Sequence, residues 1–141
     1  MVNMAISTYN AYLKINDIII SIYITDPPGQ ERFRQIVLNY CIKKDMIIFI
    51  YEIDDLNGFY GSFKTIKELI KQVKEKYNNT HFALIGAKAD LEYQRQVSFE
   101  EGEELAKIED MDFFMEVSSH TGYNIDNMFF KIAKILFKNY N

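Results

Sequence analysis

The sequence has no tryptophan, a single cysteine, only two prolines, which stand side by side, and six glycines. One cysteine excludes an intramolecular disulfide, so the fold has to rest on its core, and a reducing compartment suits it. Cys41, set among apolar neighbours, reads as core. No apolar run approaches the ~18 residues of a membrane span, and the opening residues lack a basic stretch followed by an apolar one. The chain closes on Lys138-Asn139-Tyr140-Asn141, with no cysteine to carry a lipid anchor. The expected location is therefore cytoplasmic. Basic residues are outnumbered, 16 against 20 acidic ones, for a formal charge of -4 and a pI near 5.2. A nucleic-acid binder would normally show a clustered basic face, and at this overall charge no nucleic-acid partner is expected. Nor do His, Cys and carboxylates cluster as metal ligands do, so no protein-held metal site is expected, and His120 reads as a surface loop residue.

What the chain does have is core material. Apolar residues make up 48% of it, with 11 Phe and 10 Tyr, which excludes a disordered chain. Its 141 residues suffice for one domain. Apolar β-branched runs at 11–15 and 18–25 flank Asn16-Asp17, a two-residue polar break that suits a tight antiparallel hairpin. A weakly helical segment at 34–43 precedes an apolar strand at 46–53. Ser62 is placed to cap a helix that carries Phe63, Ile66, Leu69, Ile70, Val73 and Tyr77 on one face and ends at Asn78-Asn79. A short strand at 82–85 stops at Gly86, and Ser98-Phe99-Glu100-Glu101 has the form of a capping box opening the next helix. A last strand at 113–117 leads to a helix capped by Asn124, with Ile125, Phe129, Ile132 and Leu136 facing inward. Alternation of this kind implies a mostly parallel sheet covered on both faces.

The strand at 18–25 delivers Asp26-Pro27-Pro28-Gly29-Gln30-Glu31-Arg32-Phe33 to a strand's carboxyl end, where open α/β sheets bind ligands. This stretch resembles the DTAGQERF loop of Rab-type small GTPases. Gly86-Ala87-Lys88-Ala89-Asp90-Leu91 resembles their GNKxDL guanine loop, Arg95-Gln96-Val97-Ser98 their RQVS stretch, and Glu116-Val117-Ser118-Ser119-His120 their ETSAK loop. The resemblance covers nearly the whole chain from Asn3 onward. It implies a single Rab-like G domain over residues 1–141, of the vesicle and membrane-traffic class. The fold class it implies is α/β, a P-loop-NTPase-like three-layer sandwich with a mostly parallel sheet and one antiparallel edge strand, N-terminally incomplete.

By that resemblance the ligand is GTP or GDP with Mg2+. Asp90 would accept the two N–H groups on one edge of guanine, a pairing that adenine cannot offer. The stem of Lys88 would cover the base, and the backbone at Ser118 and Ser119 would meet the guanine oxygen, with Ala87 and His120 completing the loops. Gln30 would orient the attacking water, Gly29 would contact the terminal phosphate, and Asp26 would join the magnesium shell. Effector-like partners would be met through Ile6, Phe33 and Tyr40.

The departures from the family pattern shape the functional expectation. Pro27 and Pro28 replace Thr and Ala, which fixes φ and removes backbone donors where a switch has to move. Ala87 replaces an Asn whose amide ties neighbouring loops, His120 replaces a Lys, and Asn3 stands where the magnesium-binding Thr would be. Nowhere does the sequence contain G-x-x-x-x-G-K-[ST], whose N–H groups and lysine cradle the phosphates. Losing about four charge-assisted hydrogen bonds, at ~1.5–3 kcal/mol each, removes roughly 6–12 kcal/mol of binding. Nucleotide binding and hydrolysis are accordingly expected to be weak or lost. The alternatives are a nucleotide-independent module for effector-like partners, or a non-functional truncated product. The family's first strand would lie between the strands at 18–25 and 46–53. Without it those strands are expected either to pair directly or to be bridged by another segment or chain, with self-association through the bared sheet face.

Overall fold

A computed structural model describes residues 7–27 and 34–138. The chain opens with a hairpin, β1 (Ser7–Ile15) and β2 (Ile18–Asp26), paired antiparallel from Ser7↔Asp26 to Ile15↔Ile18. Asn16 and Asp17 both take positive φ, 48° and 67°, the conformation a two-residue turn with right-handed strand twist requires. After α1 (Arg34–Cys41) comes a three-stranded parallel sheet of β3 (Met46–Glu52), β4 (His81–Ala87) and β5 (Phe113–Glu116), in that spatial order. The crossovers carry α2 (Leu56–Lys76) and α3 (Phe99–Ile108), and α4 (Ile125–Lys138) closes the described chain.

Side chains alternate along β4 and divide the core in two. Phe82 and Leu84 face a cluster with Ile66, Ile70 and Val73 of α2, Leu105 and Ala106 of α3, and Leu38 and Cys41 of α1. Ala83 and Ile85 face the opposite cluster, built with Phe113, Val117 and Ile132 of α4. Helices on both faces of a parallel sheet give the three layers of the expected fold.

Two element boundaries differ from the sequence reading. Helix α2 begins at Leu56 rather than beside Ser62, because the Asp55 carboxylate accepts the Gly58 N–H at 2.9 Å and Phe59, 1% exposed, anchors the first turn. Ser62 instead turns its hydroxyl back to the Phe59 carbonyl at 2.7 Å. At the start of α4, Asn124 does not cap the helix with its side chain. It has φ 61°, and its amide donates to the Glu116 carbonyl at 3.0 Å, tying the helix entry to the end of β5. The Ser98 capping box forms as read, with Ser98 Oγ accepting from the Glu101 N–H and Glu101 accepting from the Ser98 N–H.

Among the described residues β2 and β3 belong to separate sheets and do not pair. The hairpin is attached by side chains instead. Ile22 packs on the α4-side cluster, and Lys44 Nζ donates to Thr25 Oγ1 at 3.5 Å. Among the described residues β3 is therefore an edge strand, and the sheet face it shares with Ile85 is uncovered at its end, since Ile50 is 67% exposed although Ile85, its register partner on β4, is 1% exposed.

Candidate functional site

The carboxyl ends of β4 and β5 lead into two loops, and the backbone joins them closely. Val117 N–H donates to the Gly86 carbonyl at 2.8 Å, and Ala89 N–H to the Val117 carbonyl at 3.0 Å. Ala87 ends β4 opposite Glu52, and its carbonyl accepts the Ile53 N–H at 3.1 Å. These bonds brace the loops that Ala87, lacking an amide, cannot tie with its side chain. Lys88 then takes φ 64°, a left-handed residue that turns the chain sharply out of the strand.

Asp90 is joined to the second loop through Ser118. The Ser118 hydroxyl, fully buried, donates to Asp90 Oδ1 at 2.7 Å and accepts the Thr121 N–H at 3.1 Å. The Ser118 carbonyl accepts the Gly122 N–H, and its own N–H donates to the Tyr123 carbonyl. The second carboxylate oxygen of Asp90, which is an exposed residue, is left for a ligand's donors. Ser119 and His120 are exposed at the tip of the loop.

Lys88 is engaged sideways. Its Nζ lies 3.0 Å from Glu52 Oε2, and that bond, reinforced by the nearby Asp54 and Asp55, holds its ammonium above the usual lysine range. Beneath the loops, Arg95 grips Glu116 with two bonds of 2.8 Å, pairs with Glu92, and donates to the Val97 carbonyl. The two carboxylates hold the guanidinium above even its ordinary range. Glu116 is 7% exposed, so the pair is largely withdrawn from water. Ala89, Asp90, Glu92, Arg95, Glu116, Thr121 and Tyr123 line a cavity of about 340 Å³. The sequence carries Arg95 and Glu116 inside its motifs but does not say that they meet. Their opposite charges, each beside a base-loop segment, were the available signal.

The structure therefore brings Ala87, Lys88, Asp90, Ser118, Ser119 and His120 to one edge of the parallel sheet. Asp26 is not brought there. It follows Thr25, whose hydroxyl meets Lys44 before the amino end of β3. The seven residues of β3 put roughly 20 Å between that end and the base loops at ~3.3 Å per residue. Gly29 and Gln30 lie outside the described residues, as do Ile6 and Phe33, while Tyr40 on α1 is 41% exposed. Among the described residues no group of His, Cys, Asp and Glu is arranged to hold a metal ion, and no helix is long and apolar enough to cross a membrane.

A parallel α/β sheet with a Lys-x-Asp loop and a serine loop braced together at its carboxyl edge defines an open-sheet domain, whose ligands bind beyond the strand ends. The family model for the Ras family matches residues 2–138, and the chain belongs to that family. It is a small GTPase-like protein, and guanine nucleotide is the ligand class the family implies.

Proposed function

We propose that this chain is a Rab-type member of the family, of the membrane-traffic class, in which base recognition outlasts phosphate recognition. Asp90 and Ser118 would read guanine, Lys88 would cover it once released from Glu52, and Ser119 and His120 would flank it. The carrying observation is the 2.7 Å bond from the buried Ser118 hydroxyl to Asp90, which fixes the carboxylate and leaves its other oxygen open. Against strong binding stand the lack of a phosphate-cradling motif in these 141 residues, the prolines at 27 and 28, and the contact of Lys44 with Thr25, the residue before Asp26. Magnesium-dependent hydrolysis through Gln30 is accordingly weak or lost.

Calorimetric titration of the 141-residue chain with GTP, GDP and ATP, each with magnesium, tests this. Guanine nucleotides should bind with a Kd of about 100 μM or weaker, and ATP should be silent. Micromolar or tighter GDP binding would refute the reading, and so would equal binding of ATP.

A second reading is favoured by the Lys88–Glu52 ion pair, which engages the lysine with the chain's own carboxylate. In it the chain is a nucleotide-independent module that holds effector-like proteins through Tyr40 and its neighbours. Partner capture unchanged by added GDP or by chelation of magnesium distinguishes it.

A further inference from the structure

We infer that the face formed by α2 and α3 is the contact surface of a symmetric homodimer. Both helices cover the same side of the parallel sheet, and Tyr60 of α2 donates to Glu101 of α3 at 3.0 Å. Their charges are opposite and matched. Helix α2 carries five lysines against two glutamates, Glu68 and Glu75, while α3 carries four glutamates against one lysine.

The basic residues form a stripe. Lys64, Lys67, Lys71 and Lys74 recur at spacings of three and four, which places them along one flank of a helix. All four are exposed, and Lys64, Lys67 and Lys71 have no ion-pair partner among the described residues. On α3, Glu100 and Glu104 are exposed and have no ion-pair partner among the described residues, whereas Glu103 is taken by Lys107 at 3.6 Å. Three large apolar side chains are exposed on the same two helices: Tyr60 at 51%, Phe99 at 43% and Ile108 at 65%.

A second copy is the occupant that uses all of this. An acidic partner would engage only the α2 lysines, and a basic one only the α3 glutamates. A two-fold axis running along the helices in the contact plane lays α2 of each copy on α3 of the other, so every basic–acidic contact is made twice. Exposed ion pairs contribute little affinity by themselves. They set register and exclude wrong partners, while Tyr60, Phe99 and Ile108 supply the buried apolar area.

The test is a charge exchange on the full chain, read by sedimentation velocity. Wild type should dimerise at about 100 μM in low salt and dissociate as salt is raised. Lys67→Glu with Lys71→Glu, and separately Glu100→Lys with Glu104→Lys, should each raise the dimer Kd at least about tenfold. An equimolar mixture of the two variants should recover a heterodimer, which also shows that both are folded. Ile50→Lys, on the bare edge of β3, should leave dimerisation intact. The proposal is overturned by a wild-type chain that stays monomeric at that concentration, by reversed variants that associate like wild type, or by a mixture that forms no heterodimer. Loss of the dimer in Ile50→Lys overturns it as well, by placing the contact at the sheet edge.

Discussion

Arg95 and Glu116 meet as a fork on a fork, Nη1 to Oε2 and Nη2 to Oε1 at 2.8 Å each, beneath the loops that carry Asp90 and Ser118. Glu116 is 7% exposed, so removing the arginine leaves a largely buried carboxylate without its compensating charge. Arg95→Ala should therefore destabilise the fold by about 3–5 kcal/mol, as removal of one partner from a buried pair does. Lysine keeps the charge but cannot make two parallel bonds, so Arg95→Lys should fall between the two. Urea unfolding followed by circular dichroism gives both values, and an Arg95→Ala variant within about 0.5 kcal/mol of wild type contradicts the assignment.

The Tyr51 hydroxyl is wedged among Gly86, Gly102 and the Phe114 ring, and it has no hydrogen-bond partner among the described residues. A Cβ at position 102 would meet both Tyr51 Oη and the Phe114 ring. Gly102→Ala should thus be destabilising, because overpacking at ~1–3 kcal/mol exceeds the gain in helix propensity of about 1 kcal/mol. Tyr51→Phe should be neutral or stabilising by up to about 1 kcal/mol, since it deletes an unsatisfied buried hydroxyl. It should also relieve part of the Gly102→Ala cost in the double variant. Additivity of the two changes in thermal melts would show that they do not share this space.

These sites also show what the sequence could and could not disclose. Asn16-Asp17, the Ser98 capping box and the apolar run of β4 are local patterns, and each forms where its residues stand. The start of α2 was hidden because Gly58 and Gly61 make residues 56–61 read as loop, while the Asp55 cap and the buried Phe59 override that preference. The base loops were legible as motifs. The attachment of the hairpin was not, because Ile22 on the α4 side and Thr25 beside Lys44 are long-range contacts that no spacing encodes. Asn124 misleads for the same reason, since its amide is drawn across to Glu116.

Alkaline pH should weaken the fold. Burial raises the Cys41 thiol above its ordinary range, against a smaller opposing effect of Lys44. Burial, with help from Glu116, raises the Tyr51 phenol far above its own. In the unfolded chain these groups release protons near pH 8.5 and 10, while the folded chain still holds them, so the folded state binds more protons and stability falls as pH rises. Their contribution is complete below about pH 8 and declines above it. Melting temperature should be level from neutral pH to about 8 and then drop, and Tyr51→Phe should flatten the upper part of the fall. A melting temperature that climbs between about pH 9 and 11 is the contrary result.

The proposed base recognition makes a prediction about a single-group exchange at Asp90. The free oxygen of Asp90 accepts N–H groups only, so Asp90→Asn puts an amide donor where guanine presents donors of its own. Xanthine carries an oxygen in place of guanine's amine and can accept from that amide. Weak binding should therefore pass from GDP to xanthosine diphosphate in Asp90→Asn, as read by amide chemical-shift titration at millimolar ligand. Ser118→Ala should instead weaken both, since it releases Asp90 and strands the Thr121 N–H, at a cost of about 1–3 kcal/mol. Shifts in Ala89, Thr121 and Tyr123 with GDP, absent with ATP, would locate the base in the cavity. An Asp90→Asn chain with unchanged preference would remove Asp90 from that role.

The pairing of Ile50 with Ile85 sets the last expectation. The two are register partners, yet Ile85 is buried under the α4-side cluster and Ile50 stands 67% exposed on an edge that no described strand covers. The strand reads Met46-Ile47-Ile48-Phe49-Ile50-Tyr51-Glu52, with no proline, no lysine and one acidic residue, so none of the usual devices blunts its edge. Such a strand recruits other strands when the protein is warmed or concentrated. Ile50→Lys places a charge on the edge strand without disturbing the buried partner, so it should slow light-scattering growth on heating while leaving the melting temperature within a few degrees. Faster aggregation, or a large loss of melting temperature, would mean that Ile50 is covered by a contact it does not show here.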